Sequence, residues 1–246
     1  MSTDDPTELE GLKAAGKAVA AVLRETRRHV RPGVTTQELD EVAERTMRRH
    51  GARSAPRLVY DFPGAICISV DDEAVHGIPG SRRLREGQLV KLDVTVERQG
   101  YFADAAISVP VGRVKPGVSR LVATAQGALN EALGAVRPGM TTGELGGIVE
   151  AAVERRGARV LRELTGHGIG RTIHEGPSVP NFADPDATDV LTEGLVLTIE
   201  PIIAQSTRET VTEDDGWTIS TADGSASAHA EHTLVVREGR PLILTA

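Results

Sequence analysis

The chain has 246 residues, a formal net charge of −7 and a single cysteine. That length allows a sizeable core, the charge excludes a nucleic-acid partner held by bulk electrostatics, and one cysteine excludes both a disulfide framework and a cysteine-based zinc site. No apolar run approaches the roughly 20 residues of a membrane span, and Met1 to Pro6 lack the basic and apolar regions of a secretory leader, so a reducing, cytoplasmic setting is expected.

Asp5-Pro6-Thr7-Glu8 reads as a helix start with a capping residue, proline in the first turn and Glu8 at the capping-box position. Leu9, Leu12, Ala15, Val19 and Leu23 follow at helical spacing, which predicts a helix to about Arg28. After a turn at Arg31-Pro32-Gly33, Thr35 or Thr36 caps a second helix that ends near Gly51. In Leu89 to Val96 the period changes to two: Val90, Leu92, Val94 and Val96 share one face, Lys91, Asp93 and Thr95 the other. Arg98-Gln99-Gly100 predicts a turn and Tyr101 to Val109 a returning strand, which places Asp93 and Asp104 close together on one face. A third long helix is predicted over Val118 to Val136. A fourth starts at Thr141 or Thr142 and ends near Gly157.

These elements repeat. Val30 to Arg53 aligns without a gap on Val136 to Arg159, Glu86 to Asp93 on Glu193 to Glu200, and Asp104 to Val109 on Glu231 to Val236. Asp93 is therefore the counterpart of Glu200, and Asp104 of Glu231. The pattern predicts an α+β domain over residues 1–246, in two pseudo-symmetric halves of about 8–112 and 117–245, with helices outside a curved, mostly antiparallel sheet. A two-fold arrangement of such halves brings the four acids toward one centre. Carboxylates cannot share a dry cavity unless their charge is neutralised, and bound cations do this most simply.

His29 and His50 sit in Arg-rich helix ends and read as surface residues. His76, His167 and His174 lie in Gly- or Pro-flanked loops, in Val75-His76-Gly77-Ile78-Pro79, Gly166-His167-Gly168-Ile169-Gly170 and Ile173-His174-Glu175-Gly176-Pro177. Loops on a rigid scaffold are where function concentrates. Carboxylates with one to three imidazoles and no thiolate suit Mn, Fe, Co or Zn. A two-metal site is suited to hydrolysis.

In order along the chain, Cys67-Ile68-Ser69-Val70, Val75-His76-Gly77-Ile78-Pro79, Leu92-Asp93-Val94-Thr95, Asp104, Gly166-His167-Gly168-Ile169-Gly170, His174-Glu175, Thr198-Ile199-Glu200-Pro201, Asp215-Gly216-Trp217 and Glu231-His232-Thr233 resemble the type I methionine aminopeptidases, in their short bacterial form, over about residues 8–245. The resemblance implies the pita-bread (creatinase/aminopeptidase) fold and removal of N-terminal methionine from nascent polypeptides when the second residue is small. It implies two divalent cations (Co, Mn or Fe, with Zn as a further option) on Asp93, Asp104, His167, Glu200 and Glu231, with Glu200 also the base on the attacking water. His174 would serve the scissile carbonyl or its oxyanion, and His76 the leaving nitrogen. Val59, Phe62, Cys67, Ile173 and Trp217 would line the methionine pocket; Val59 and Ile173 are aliphatic where relatives usually carry aromatics. His229 stands where the family usually has Gln and reads as a donor to a ligand or, alternatively, as a change in metal preference. The expected partner is the amino end of a nascent chain, with the ribosome as the setting, for a monomer with no membrane and no sequence-specific nucleic-acid partner. Two other readings differ in consequence. A proline-specific aminopeptidase or prolidase-like enzyme would usually carry an extra N-terminal domain. A non-catalytic binding module on this fold should have lost metal ligands.

Overall fold

The structure is a computed structural model that describes residues 1–3 and 5–246. The first half runs α1 (Pro6–His29), α2 (Thr36–Arg49), β1 (Arg53–Ser54), α3 (Ala55–Tyr60), β2 (Cys67–Val70), β3 (Glu73–Val75), β4 (Leu89–Arg98) and β5 (Tyr101–Pro110). The second runs α4 (Pro116–Ala135), α5 (Thr142–Glu154), β6 (Arg159–Val160), β7 (Gly166–Gly168), β8 (Glu175–Val179), β9 (Val196–Ile199), β10 (Ile202–Ala204), β11 (Thr210–Thr212), β12 (Ile219–Thr221), β13 (Ser227–His229), β14 (His232–Val235) and β15 (Leu242–Ile243). No helix among the described residues is long and apolar enough to cross a membrane.

The sequence repeat is a structural repeat down to its caps. Thr35 and Thr141 each cap a helix through a reciprocal box, with Glu38 and Glu144 returning a carboxylate to the cap backbone. Ahead of each cap, Gly33 and Gly139 adopt φ of 91° and 87°, and their N–H groups donate to Leu84 and Leu191. The start of α1 differs from expectation. Asp5 caps it by accepting from Thr7 N, whereas Glu8 reaches away to Arg171 instead of closing a box.

The pairing of β4 with β5 is continuous from Leu89↔Pro110 to Arg98↔Tyr101. Gln99 and Gly100, at φ of 54° and 81°, form the two-residue turn whose twist suits a hairpin. The apolar face of β4 packs Val90, Leu92, Val94 and Val96 against Val19, Leu23, Leu39 and Met47 of α1 and α2. A second core joins α4 and α5 to Leu197, Ile199, Ile203 and Leu234, and a smaller cluster, including Leu12, Phe102, Ile173, Val196 and Leu244, bridges residues of both halves.

The second half is interrupted where the first is continuous. Pro201 has no N–H for a ladder, and the strand splits into β9 and β10 around Glu200-Pro201. Its partner splits into β13 and β14 around Ala230-Glu231. Side-chain hydroxyls stitch the two halves together here. Thr233 Oγ1 donates to Asp104 O (2.7 Å) and accepts from Asp104 N (2.9 Å). Ser108 Oγ does the same for His229 O and N, both at 2.8 Å. Glu231 N donates to Ala106 O at 3.0 Å.

Helix α1 rests on the C-terminal segment at Gly16, where a Cβ would overlap the backbone oxygen of Leu244. Gly16→Ala should therefore cost about 1–3 kcal/mol, the usual overpacking penalty, and lower Tm by roughly 2–12 °C at this chain length. An unchanged Tm in a thermal melt would show that the helix shifts freely on its bed.

Candidate metal centre

Alternation along β4 turns Lys91, Asp93, Thr95 and Glu97 away from the helices. Register then sets Asp104 opposite Thr95, with Asp93 one pair along on the same face. Thr95 Oγ1 donates to Asp104 Oδ2 at 2.7 Å. From the other half, pairing of β9 with β14 stops at Ile199↔His232, which leaves Glu200 and Glu231 free to turn inward at the strand ends. Thr198 Oγ1 donates to Glu200 Oε1 at 2.9 Å and accepts from His167 N at 3.0 Å, so one hydroxyl fixes both residues.

Asp104, Glu200 and Glu231 are buried, and ligand atoms of Asp104, His167 and Glu231 lie within 4.8 Å of one another. Asp104 Oδ1 and Glu231 Oε1 are buried with no hydrogen-bond partner among the described residues. Among the described residues, no Arg or Lys forms an ion pair with Asp93, Asp104, Glu200 or Glu231. The uncompensated charge shows in their proton affinities. Burial, and then the charge of Asp104 and the other acids, pushes Asp93, Glu200 and Glu231 well above the usual carboxylate range. Burial raises Asp104 to about 6 against opposing bonds from Thr95 and Asp93.

The imidazole fits the same demand. His167 Nδ1 lies 2.9 Å from Gly168 O; a carbonyl can only accept, so Nδ1 carries the proton and the Nε2 lone pair is free, 3.5 Å from Glu200 Oε1. Such an outer bond is what orients a ligating histidine. Burial, then the charge of His174, lowers His167 to about 4, so it is neutral near pH 7. Orphaned carboxylate oxygens, a neutral imidazole with its lone pair exposed and no balancing base together fit a divalent cation.

His229 is fully buried, its Nε2 3.7 Å from Glu200 Oε2 and 3.8 Å from Glu231 Oε2. Those distances are too long for direct hydrogen bonds, and neither ring nitrogen has a partner among the described residues. Lys91, also buried, donates to Asp71 O at 2.7 Å, and burial lowers it to about 7. The alternation put Lys91 on the acid face, but nothing in the sequence marked it as enclosed.

A cavity of about 460 Å³ opens beside the acids, lined among others by Tyr60, Phe62, Cys67, Ile173 and Trp217. Phe62 and Trp217 meet edge to face at 5.2 Å. Asp215 holds the Trp217 turn by accepting from Trp217 N and Thr218 N, both at 2.8 Å. Cys67 sits opposite Asp93 in the ladder. Burial, then the neighbouring acids, drives its thiol well above its ordinary value, so it is an apolar wall and not a nucleophile. His76, held at φ of 59°, and His174 also line the cavity; burial lowers both, with the charge of His174 adding to the shift at His76.

Val59 is the exception among the expected lining residues. It is 43 % exposed and outside the cavity wall, and its neighbour Tyr60 lines the cavity instead. The last turn of α3 and the left-handed Asp61 after it (φ 56°) set Tyr60, itself 43 % exposed, and the buried Phe62 against the cavity. The aromatic bulk expected to be missing at Val59 is therefore supplied one residue later.

Residues 10–238 match the family described as metallopeptidase family M24. The chain belongs to that family. It is 38 % identical over 247 residues to methionine aminopeptidase 2 of Bacillus subtilis, covering 100 % of this chain and 99 % of that one. The crystal structure of methionine aminopeptidase from Thermotoga maritima superposes with a TM-score of 0.96 at 36 % identity, covering 100 % and 99 % of the two chains. A prolidase from Pyrococcus furiosus shares the fold at a TM-score of 0.78 and 23 % identity, with 98 % of this chain covering 64 % of that one. The architecture is the pita-bread fold.

The buried acids make a distinctive pH prediction for metal-free protein. Glu231 has a folded value raised above its ordinary 4.5. Its protonated form therefore contributes stability that is complete below the unfolded value and lost as pH rises through the folded one. Without metal, Glu231→Gln should melt higher than wild type at pH 8, with the advantage shrinking toward pH 5; Lys91 and the histidines are common to both proteins. With divalent metal the order should reverse. A metal-free variant less stable than wild type at pH 8 would contradict the charge assignment.

Proposed function

We propose that this chain removes the N-terminal methionine from nascent proteins and peptides whose second residue is small. The observation that carries the reading is one continuous site: a buried acid cluster opens directly onto a cavity of about 460 Å³ whose lining includes Phe62, Cys67, Ile173 and Trp217, in a chain that aligns end to end with bacterial methionine aminopeptidases. An unbranched thioether packs well on the Phe62–Trp217 pair and Cys67. Ile173 closes the wall.

Asp93, Asp104, His167, Glu200 and Glu231 would hold two divalent cations, Co, Mn or Fe, with Zn a further option. When bound, these supply Lewis acidity that polarises the scissile carbonyl and acidifies the attacking water. Glu200 takes the proton of that water as its general base. The neutral His174 donates an N–H to the oxyanion that forms as water adds to the carbonyl. His76 donates to the amide nitrogen as it leaves, and the proton collected by Glu200 completes the new amine. Since burial keeps both histidines neutral near pH 7, they act as hydrogen-bond donors and not as fixed cations. The retained acid set speaks against a non-catalytic module. Likeness to prolidase at 23 % identity bears on the fold alone.

The test is hydrolysis of a peptide series by metal-reconstituted enzyme: Met-Ala-Ser, Met-Leu-Ser, Leu-Ala-Ser, norleucine-Ala-Ser and Ala-Pro-Ser. Met-Ala-Ser should lead, with kcat/KM for Leu-Ala-Ser lower by about 10–200-fold, the range an apolar pocket can discriminate. Preference for Ala-Pro-Ser over Met-Ala-Ser would overturn the reading in favour of a proline-specific enzyme.

A further inference from the structure

Tyr60 touches the reaction machinery without belonging to the cation site. Its hydroxyl lies 2.6 Å from His174 Nδ1, and the two rings stack at 5.6 Å with 29° between their planes. On its other side His174 meets the His167 ring at 4.3 Å, edge to face, and Thr172 Oγ1 holds the His174 carbonyl at 3.0 Å. The imidazole is thus fixed in place and in tilt. Tyr60 is itself anchored. Asp40 Oδ1 accepts from Ala65 N (2.7 Å) and Ile66 N (2.9 Å) beyond it, and Arg57 links the same helix to Asp40 and Glu44.

A neutral imidazole has one proton and two nitrogens, and only the nitrogen bearing it can donate. We propose that Tyr60 is a positioning residue whose hydroxyl donates to His174 Nδ1, so that the ring proton stays on Nε2, the nitrogen with no partner among the described residues and the one available to the substrate oxyanion. The opposite arrangement, with Nδ1–H donating to the phenol oxygen, would leave an Nε2 lone pair facing the developing negative charge. The contact therefore decides whether this ring stabilises or repels the oxyanion. The inference rests on the role given to His174, and it singles out a residue the sequence did not, because the bond joins positions 114 apart.

The test compares Tyr60→Phe, which keeps the stacked ring and loses the hydroxyl, with His174→Ala and the double variant. In metal-reconstituted enzyme, Tyr60→Phe should lower kcat on Met-Ala-Ser about ten-fold, less than the 10²–10³ expected when an oxyanion donor is deleted outright. KM should change little, since the contact acts in the transition state. The double variant should be no slower than His174→Ala alone, because Tyr60 acts through that ring. Nitrogen-15 NMR of zinc-loaded full-length protein should show the Nε2–H form alone for His174 in wild type and a mixture of tautomers in Tyr60→Phe. A wild-type ring protonated on Nδ1, an unchanged tautomer in Tyr60→Phe, or an unchanged kcat would each overturn the proposal. Full activity in His174→Ala would instead overturn the oxyanion role, a separate failure that the tautomer measurement distinguishes.

Discussion

The cost of burying four acids without a base is the constraint around which the rest of the molecule is arranged. A carboxylate taken out of water loses several kcal/mol of hydration unless something replaces it. Here the hydroxyls supplied by protein are sparse: one on Asp104 and one on Glu200. Among the described residues, none gives a hydrogen bond to Asp104 Oδ1 or Glu231 Oε1. Protonation or a cation must make up the difference, and only a cation leaves the cluster ionised near neutral pH. The histidines around it follow the same logic, since burial keeps them neutral and frees lone pairs and N–H groups for ligation and donation.

The two halves meet this demand in different ways. The first contributes short aspartates from an unbroken hairpin, positioned by ladder register. The second contributes longer glutamates from strand ends, where Pro201 stops the ladder and lets Glu200 turn inward. Asp104 and Glu231 are brought face to face by Thr233 and Ser108, whose hydroxyls serve backbone groups that a regular sheet would have paired. Breaking the symmetry has a further effect. The α3 loop of the first half brings Tyr60 and Phe62 into ring contact with His174 and Trp217 of the second. Both halves therefore contribute to the cavity wall.

Much of this was legible in the sequence because the signals were local or duplicated. Thr35 and Thr141, followed at the third position by Glu38 and Glu144, marked the same helix start twice. Strict alternation in Leu89 to Val96 separated Leu92 from Asp93 by face. The residues that escaped are those whose meaning depends on distant parts of the chain. Tyr60 is one residue from the expected Val59, and only the short helix and the left-handed Asp61 decide which of them looks inward. Lys91 shares the acid face of an alternating strand, and nothing local marks it as fully enclosed, as the folded chain makes it. Glu8 satisfies the capping-box pattern, yet Arg171, far along the chain, competes for it. His229 was marked by position but not by contact, and its ring lies too far from both glutamates for the direct bond expected of it.

The central claim, that the acid cluster is built for divalent cations, is tested most directly by calorimetric titration of metal-free protein with Mn(II) near pH 6.5, in buffers of different ionisation enthalpy. Because the raised proton affinities leave the empty cluster partly protonated, saturable uptake should be accompanied by net proton release, and both should weaken sharply in Asp104→Asn. No uptake, uptake without proton release, or an Asp104→Asn titration indistinguishable from wild type would contradict the account.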